Sequence, residues 1–537
     1  TEYVHNPCFL SANILKILGV FAENQINKYL NSAFQLIDRI NKSKHNFSIK
    51  VFRTPKHAYS GREMQFERKG NEYCFQATTL VRSGVQTGKE LELKRETEVE
   101  LTNNGFNLYT QGKNIIPNRI SYSDIEEVPP LKIIEGQITA LSTRKQSYFK
   151  TDRFYRVIFP LSKKVRLFGD FTGCTYSIDG NQVLETLLKL HISGTDFHFF
   201  TVNKTKNEHY FVIDSTSKID LNSFLRAANS ILLTYAFLKG DYHGKQAYIV
   251  TYSHGNFKTP SSLSTMIMAG EVYDGFAIHS TKPFSIVQLQ KKIRHKKDSN
   301  GKIIGSDTKW ANKYMVELPS ECYAKICELI YLNGGVLRAV ILYVNNHRAT
   351  LELKIPTLFV AIENITKILV GGNTKKPSII EDAAIVSKIK KIIKASVKEI
   401  NEIKREHKPE GLDCEAEKEY EANFARISSK LHGFNEGSNN KKLSDPFSIL
   451  GYTLTEEERN LLKIDRNKFL HGDDYSKMEE NYETEFKELF HISLRLQKLI
   501  AVLLLKQADY SGYILNNAKI YDYITQKDLK EEVFIRI

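Results

Sequence analysis

Cysteine is scarce and irregularly spaced in this chain. Six occur in 537 residues, at positions Cys8, Cys74, Cys174, Cys322, Cys327 and Cys414, and none forms a C-x-x-C pair. That excludes a disulfide scaffold and leaves a cysteine zinc site without its usual spacing. A reducing, cytoplasmic location fits such a composition. Long apolar runs are also missing. The longest strongly apolar stretch, Leu499 to Leu505, is far too short to span a bilayer, so no membrane partner is expected. The first residues carry neither a basic n-region nor an apolar h-region, so no secretory signal is read there. There is no P-loop, dinucleotide-binding fingerprint, G-x-S-x-G elbow or H-E-x-x-H pair. NTPase, dehydrogenase, α/β-hydrolase and metal-centred readings therefore have no motif behind them, and no cofactor or metal is expected.

What the chain does contain is ordinary globular material. Apolar residues make up 41% and charged residues 26%. At roughly 150 residues per domain the length suggests two to four domains. Lysine and arginine total 76 against 62 acidic residues, a formal charge of +14. A polyanionic partner, usually nucleic acid, would explain that excess. A basic soluble protein without such a partner would explain it equally.

The hydrophobic pattern changes along the chain. Between Phe47 and Phe257 short aromatic and β-branched runs recur, among them Phe106 to Tyr109, Arg153 to Phe159, Phe197 to Val202 and His209 to Ile213. These read as strands separated by the turn dipeptides Gly70-Asn71, Asn104-Gly105 and Asp179-Gly180. One helix interrupts them, with Asp220 as N-cap and Gly240 as its stop. From about Leu318 the period becomes helical. Gly334-Gly335 divides the first stretch, and a second helix runs from Thr350 to Val370 with Pro356 near its start. Ile385, Ile389, Ile392, Ile400 and Ile403 stripe a charged amphipathic helix. Gly433 to Pro446 reads as a flexible connection, Thr455 as an N-cap, and Lys477 to Gln507 as the last long helix. That helix carries more apolar surface than one bundle face hides, which points to a second copy. The fold class is thus multidomain α+β. A β-rich sandwich or curled sheet occupies residues 1–317, with a subdomain boundary at Pro129-Pro130, and a helical bundle occupies residues 318–537.

Two basic features are candidate functional sites. Lys291, Lys292, Arg294, Lys296 and Lys297 enter a turn and are candidate RNA phosphate contacts, although a solvated loop accounts for them as well. The second is Asp465-Arg466-Asn467-Lys468-Phe469-Leu470-His471-Gly472. Imidazole titrates near neutral pH and can move a ribose 2′-hydroxyl proton. A neighbouring guanidinium supplies directional positive charge to the developing pentavalent phosphate. Asn467 can bind phosphate or orient His471. Arg39 with His45 and Arg426 with His432 share a similar Arg/His spacing but lack the following Asn and read as decoys. Arg466 could instead pair with Glu363 purely for stability, and His471 could simply cap a helix.

With this motif, the helix segment Phe359-Val-Ala-Ile-Glu363-Asn and the ending Leu503 to Tyr513, residues from about Leu318 onward resemble the HEPN superfamily. The ending is similar to those of large ApeA-like bacterial defence proteins. The lysine-rich stretch near 371–414 departs from a minimal domain of that kind. The resemblance implies an all-α bundle that forms a homodimer or larger homo-oligomer and joins two Arg/His motifs in one RNA-cleaving cleft. It implies a metal-independent endoribonuclease, leaving 2′,3′-cyclic phosphate ends, with Arg466, Asn467 and His471 catalytic and Glu363 in support. It also implies an anti-phage, abortive-infection role, in which a phage-derived trigger acts on the β-rich sensor region. The alternatives are a non-catalytic RNA- or protein-binding regulator with the same fold, and a nucleotide-binding partner of a nucleotidyltransferase.

Overall fold

The computed structural model describes residues 30–41, 44–51, 62–69, 72–80, 93–103, 106–122, 131–167, 169–172, 175–179, 182–244, 246–267, 271–272, 275–281, 294–307, 313–373, 379–380, 382–409, 414–435, 439–466, 469 and 482–537. The chain is multidomain α+β, with a large antiparallel sheet in its N-terminal half and helices in its C-terminal half. It divides into two compact units. One comprises Thr1–Arg348, Ala508–Tyr521 and Leu529–Ile537; the other comprises Ala349–Gln507 and Asp522–Asp528. The division therefore falls after Arg348, later than the change to a helical pattern at Leu318.

The first unit opens with helix α1 over residues 30–40, followed by strands β1 (Lys44–Val51), β2 (Glu63–Lys69) and β3 (Glu72–Leu80). Then come β4 (Glu98–Asn103), β5 (Phe106–Gln111), β6 (Ile115–Tyr122), β7 (Leu131–Ile138) and β8 (Ala140–Ser142). The aromatic run at Arg153 becomes β9 (Phe154–Leu161), and β10 (Thr175–Asp179), β11 (Gln182–Ile192), β12 (Thr195–Asn203) and β13 (His209–Ser215) follow. After helix α2 (Leu221–Lys239) come β14 (Tyr242–His243), β15 (Gln246–Tyr252), β16 (Pro260–Ile267) and β17 (Glu271–Val272). Among the described residues one sheet of 15 strands runs β10-β11-β12-β13-β9-β15-β16-β8-β5-β4-β1-β2-β3-β7-β6. Gly70-Asn71, Asn104-Gly105 and Gly180 lie outside the described residues, but each falls between strands that pair as antiparallel neighbours. Pro129 and Pro130 are likewise outside them. β7 begins at the next residue and pairs with both β3 and β6, so the sheet continues across the expected subdomain boundary.

The sheet curls, because apolar side chains far apart in strand order share one core. Phe34 and Ile37 of α1 pack in it with Phe66 of β2, Leu101 of β4, Val212 of β13 and Val250 of β15. A polar chain crosses the same interior. Tyr73 Oη on β3 donates to Asn41 Oδ1 at 3.0 Å, and Asn41 Nδ2 donates to Tyr248 Oη on β15 at 2.8 Å. Gln246 Nε2 on β15 donates back to Tyr73 Oη at 3.0 Å. Buried polar atoms need such partners, so these bonds fix how β3 meets β15 across the curl.

Helix α2 begins and ends where the sequence indicates. The Asp220 side chain accepts from Ser223 N at 3.0 Å, and Gly240 adopts φ 80°. A Cβ at Gly240 would lie 2.3 Å from Gly275 O, so glycine is required there twice over. Helices α3 (Ser320–Leu332) and α4 (Gly334–Asn345) belong to this unit because they pack on α2. Tyr323 Oη donates to Ile231 O at 2.7 Å, and Cys327 Sγ meets Thr234 Oγ1 at 3.3 Å. Cys322 and Cys327 are both buried, and burial raises both thiols, Cys322 to about 12. They are therefore packed, unreactive groups. A basic hairpin forms from β18 (Arg294–Lys297) and β19 (Ile303–Asp307), and β20 (Tyr513–Leu515) pairs with β21 (Phe534–Arg536).

The second unit is helical. It contains α5 (Leu351–Asn373), α6 (Ala383–Glu406), α7 (Cys414–His432), α8 (Asn439–Ile449), α9 (Glu456–Asn460) and α10 (Tyr482–Gln507). The flexible connection expected up to Pro446 is wrong in part, because α8 occupies its second half. Leu443 and Phe447, one turn apart, are both buried, and that apolar pair outweighs the hydrogen bond Pro446 cannot donate. The apolar helix around Leu499 also departs from expectation. Every residue from His491 to Leu505 is buried within the chain, so this stretch offers no spare apolar face to a second copy. No single described helix is long and apolar enough to cross a membrane.

Arg156 on β9 and Asp214 on β13 are directly opposed in register and both buried. Arg156 Nε and Nη2 donate to the two Asp214 oxygens at 2.7 and 2.6 Å, and the guanidinium lies 4.6 Å from the Phe257 ring centroid. Removing one member of a buried pair leaves the other charge uncompensated, at a cost of about 3–5 kcal/mol. Asp214→Ala should therefore lower the thermal midpoint of the full chain sharply. The double replacement Arg156→Met with Asp214→Leu should recover most of that loss.

Candidate functional site

Arg466 is positioned by the end of a short, carefully capped helix. Thr455 Oγ1 accepts from Glu458 N at 3.2 Å, and Glu458 Oε2 accepts from Thr455 N at 2.9 Å, a reciprocal capping box. After α9 the backbone widens into a π-turn over Leu461–Asp465, and Arg466 N–H bonds to Leu461 O, five residues back. A π-turn adds a residue to the turn and so rotates everything after it to a new face. Leu461 and Leu462 are buried and anchor that turn.

The rotated face meets α5 at two points one turn apart. Arg466 Nε donates to Glu363 Oε1 at 2.7 Å, and Arg466 Nη2 reaches the same oxygen. Phe469 packs on Phe359 with ring centroids 6.3 Å apart. Phe359 and Glu363 are four residues apart on α5 and therefore share a face. The Arg466 side chain is 13% exposed and that of Glu363 37%, so the pair sits at the edge of the helical core. Next to it, Asn364 Nδ2 is buried without a hydrogen-bond partner among the described residues. Asn467 and His471 lie outside the described residues, so the structure brings together Arg466 and Glu363 of the sequence-derived set.

The decoys are placed differently. Arg39 is on α1 and His45 on β1, two separate elements, while Arg426 and His432 both ride on α7, where His432 is the last residue. Of the basic stretch, Lys291 and Lys292 lie outside the described residues. The backbone of Arg294 to Lys297 forms β18, so this part is a strand of a hairpin rather than a loop. Lys297 is exposed, and the turn that follows is tied by Asp298, which accepts from Asn300 N and Lys302 N at 2.9 and 2.8 Å.

A charged network behind the motif is not anticipated by any motif. His491, Arg495 and Lys498 lie on one face of α10 and all three are buried. His491 Nε2 donates to Glu457 Oε1 at 2.6 Å and Arg495 Nη2 donates to Glu457 Oε2 at 2.8 Å. Lys498 pairs with the fully buried Glu458. The signal in the sequence is three basic groups at the spacing of one helix face, inside a leucine-rich helix; buried cations demand carboxylates. Among the described residues no group of three or more His, Cys, Asp and Glu side chains is arranged to hold a metal ion.

Comparison with protein-family models, curated proteins and solved structures finds no match to this chain.

Glu457 carries the pH dependence of this network. The hydrogen bond from His491 holds its carboxyl down to about 2, with Arg495 adding and burial opposing. A carboxyl depressed in the folded state stabilises the fold above its ordinary value near 4.5, and that contribution fades as pH falls toward 2. The full chain should thus lose thermal stability between those pH values, and Glu457→Gln should lower stability at neutral pH while flattening the acid limb. A melting series across that range checks both.

Proposed function

We propose that this chain is a metal-independent endoribonuclease with Arg466, Asn467 and His471 as its catalytic set, an effector of the anti-phage, abortive-infection kind that the HEPN resemblance implies. The observation that carries the reading is the Arg466–Glu363 contact at the end of the π-turn. The guanidinium is fixed by one carboxylate oxygen through Nε and Nη2. A fixed, partly desolvated guanidinium is the group that stabilises charge on a pentavalent phosphate with little reorganisation. His471, five residues on, supplies the imidazole that takes the 2′-hydroxyl proton. Attack of that oxygen on phosphorus gives a cyclic phosphate and releases the 5′-oxygen, which is reprotonated. The excess of positive charge on the chain favours a polyanionic substrate. A homodimer that pairs two such motifs, and control by the β-rich unit, belong to the same reading.

The same contact also favours a second reading, a non-catalytic regulator in which Arg466 and Glu363 form a purely structural pair. The two separate by experiment. Purified full-length chain should cut total RNA in the presence of EDTA. Arg466→Ala and His471→Ala should each lower the rate by about a hundredfold or more while the protein stays folded. His432→Ala should leave the rate unchanged. Glu363→Gln should cut more slowly at an unchanged melting temperature if it orients Arg466; full cleavage by folded Arg466→Ala or His471→Ala overturns the catalytic assignment.

A further inference from the structure

Helix α6 is the most amphipathic segment of the second unit in its sequence, yet none of its residues is buried. α7 packs along one side of it. Tyr420 Oη donates to Lys404 O at 3.0 Å, and Lys404 and Lys408 pair with Glu421 and Glu417. The rest of the apolar stripe stays open. Ile385, Ile392 and Ile403 are 47%, 65% and 45% exposed. Their spacings are close to whole turns, so the three side chains fall within about 20° of one line along the helix. Isolated exposed isoleucines need no explanation, but a straight stripe of them does.

The charges beside that stripe identify what covers it. On one flank, within about 80° of arc, lie Lys388 and Lys391 in the N-terminal half and Glu399, Glu402 and Glu406 in the C-terminal half, all exposed, with Lys398, which pairs with Glu402, at its outer edge. A flank that is basic at one end and acidic at the other complements itself when reversed. When two identical helices pack antiparallel across a two-fold axis, each flank faces the same flank of the other copy running the opposite way. Lysine then meets glutamate at both ends. A parallel pair would set the charged flank against the side that α7 already covers. A polyanion would meet the three glutamates, and it would leave the isoleucines wet.

We infer that α6 is a self-association surface, packing antiparallel on α6 of a second copy of this chain. Ile385 sits over the partner's Ile403, and Lys388 and Lys391 face the partner's Glu399 and Glu402. The stripe then loses water on both helices, and the charge pattern sets direction and register. This surface is separate from Arg466 and Glu363, and the inference stands whether or not the chain cuts RNA.

The test uses the full-length chain carrying Ile385→Cys and Ile403→Cys together, oxidised mildly, with the wild-type chain as the background for its native cysteines. Eighteen residues of helix separate the two positions by about 27 Å, while a disulfide needs Cα atoms within about 7 Å, so a bond between them must join two chains. The expected result is a covalent dimer whose peptide map links 385 to 403, with each single variant at background. Adding Lys388→Glu and Lys391→Glu should abolish the crosslink, and further adding Glu399→Lys and Glu402→Lys should restore it. Absence of the crosslink in the folded double variant, linkage of like to like positions, or indifference to charge reversal would overturn the inference. RNA cleavage by the same samples reports on the nuclease reading alone.

Discussion

Arg495 and Lys498 are buried cations on a leucine-rich helix, and burying a charge is costly unless a carboxylate pairs with it. Glu457 and Glu458 are those carboxylates. Because they are consecutive, both can be engaged only if the first turn of α9 lies against α10 in one orientation. Glu458 is committed a second time, to Thr455 in the capping box. The start of α9 is thereby pinned from two sides, and the π-turn and Arg466 inherit their position from it. An apolar replacement of the cations would pack as well or better, but it would no longer dictate which turn of α9 meets which turn of α10.

That dependence explains what was legible in the sequence. Asp220 and Gly240 bound α2 because capping and a left-handed stop are local events, decided by one side chain and one missing Cβ. The break between α3 and α4, the Thr455 cap and the strands around Phe154, Phe197 and His209 are local in the same sense. Pro129-Pro130 looked like a boundary because two prolines cannot donate to a ladder; β7 starts only after them, so the sheet is undisturbed. The helix containing Pro446 is decided by burial of Leu443 and Phe447, a tertiary effect that overrides local propensity. The π-turn left no mark in composition at all. Arg466 and Glu363, 103 residues apart, were both legible as charged candidates, but their meeting depends on that turn and on α5 packing.

Apolar surface is distributed in a way that periodicity alone does not reveal. The α10 helix is the more apolar of the two in sequence, and its apolar surface is consumed within the chain. The α6 stripe is diluted by lysine and glutamate and stays open. The share of apolar side chains around a helix decides whether it enters a core, whereas the arrangement of its charges decides what it meets at the surface.

The chain crosses between the two units four times. It passes from the first unit to the second after Arg348, returns after Gln507, leaves again after Tyr521 and returns once more after Asp528. β20 and β21, which close the chain, therefore belong to the unit that carries the large sheet, although they follow the helical unit in sequence. A break at Leu318 would separate β20 and β21 from the sheet unit and strip α3 and α4 from α2.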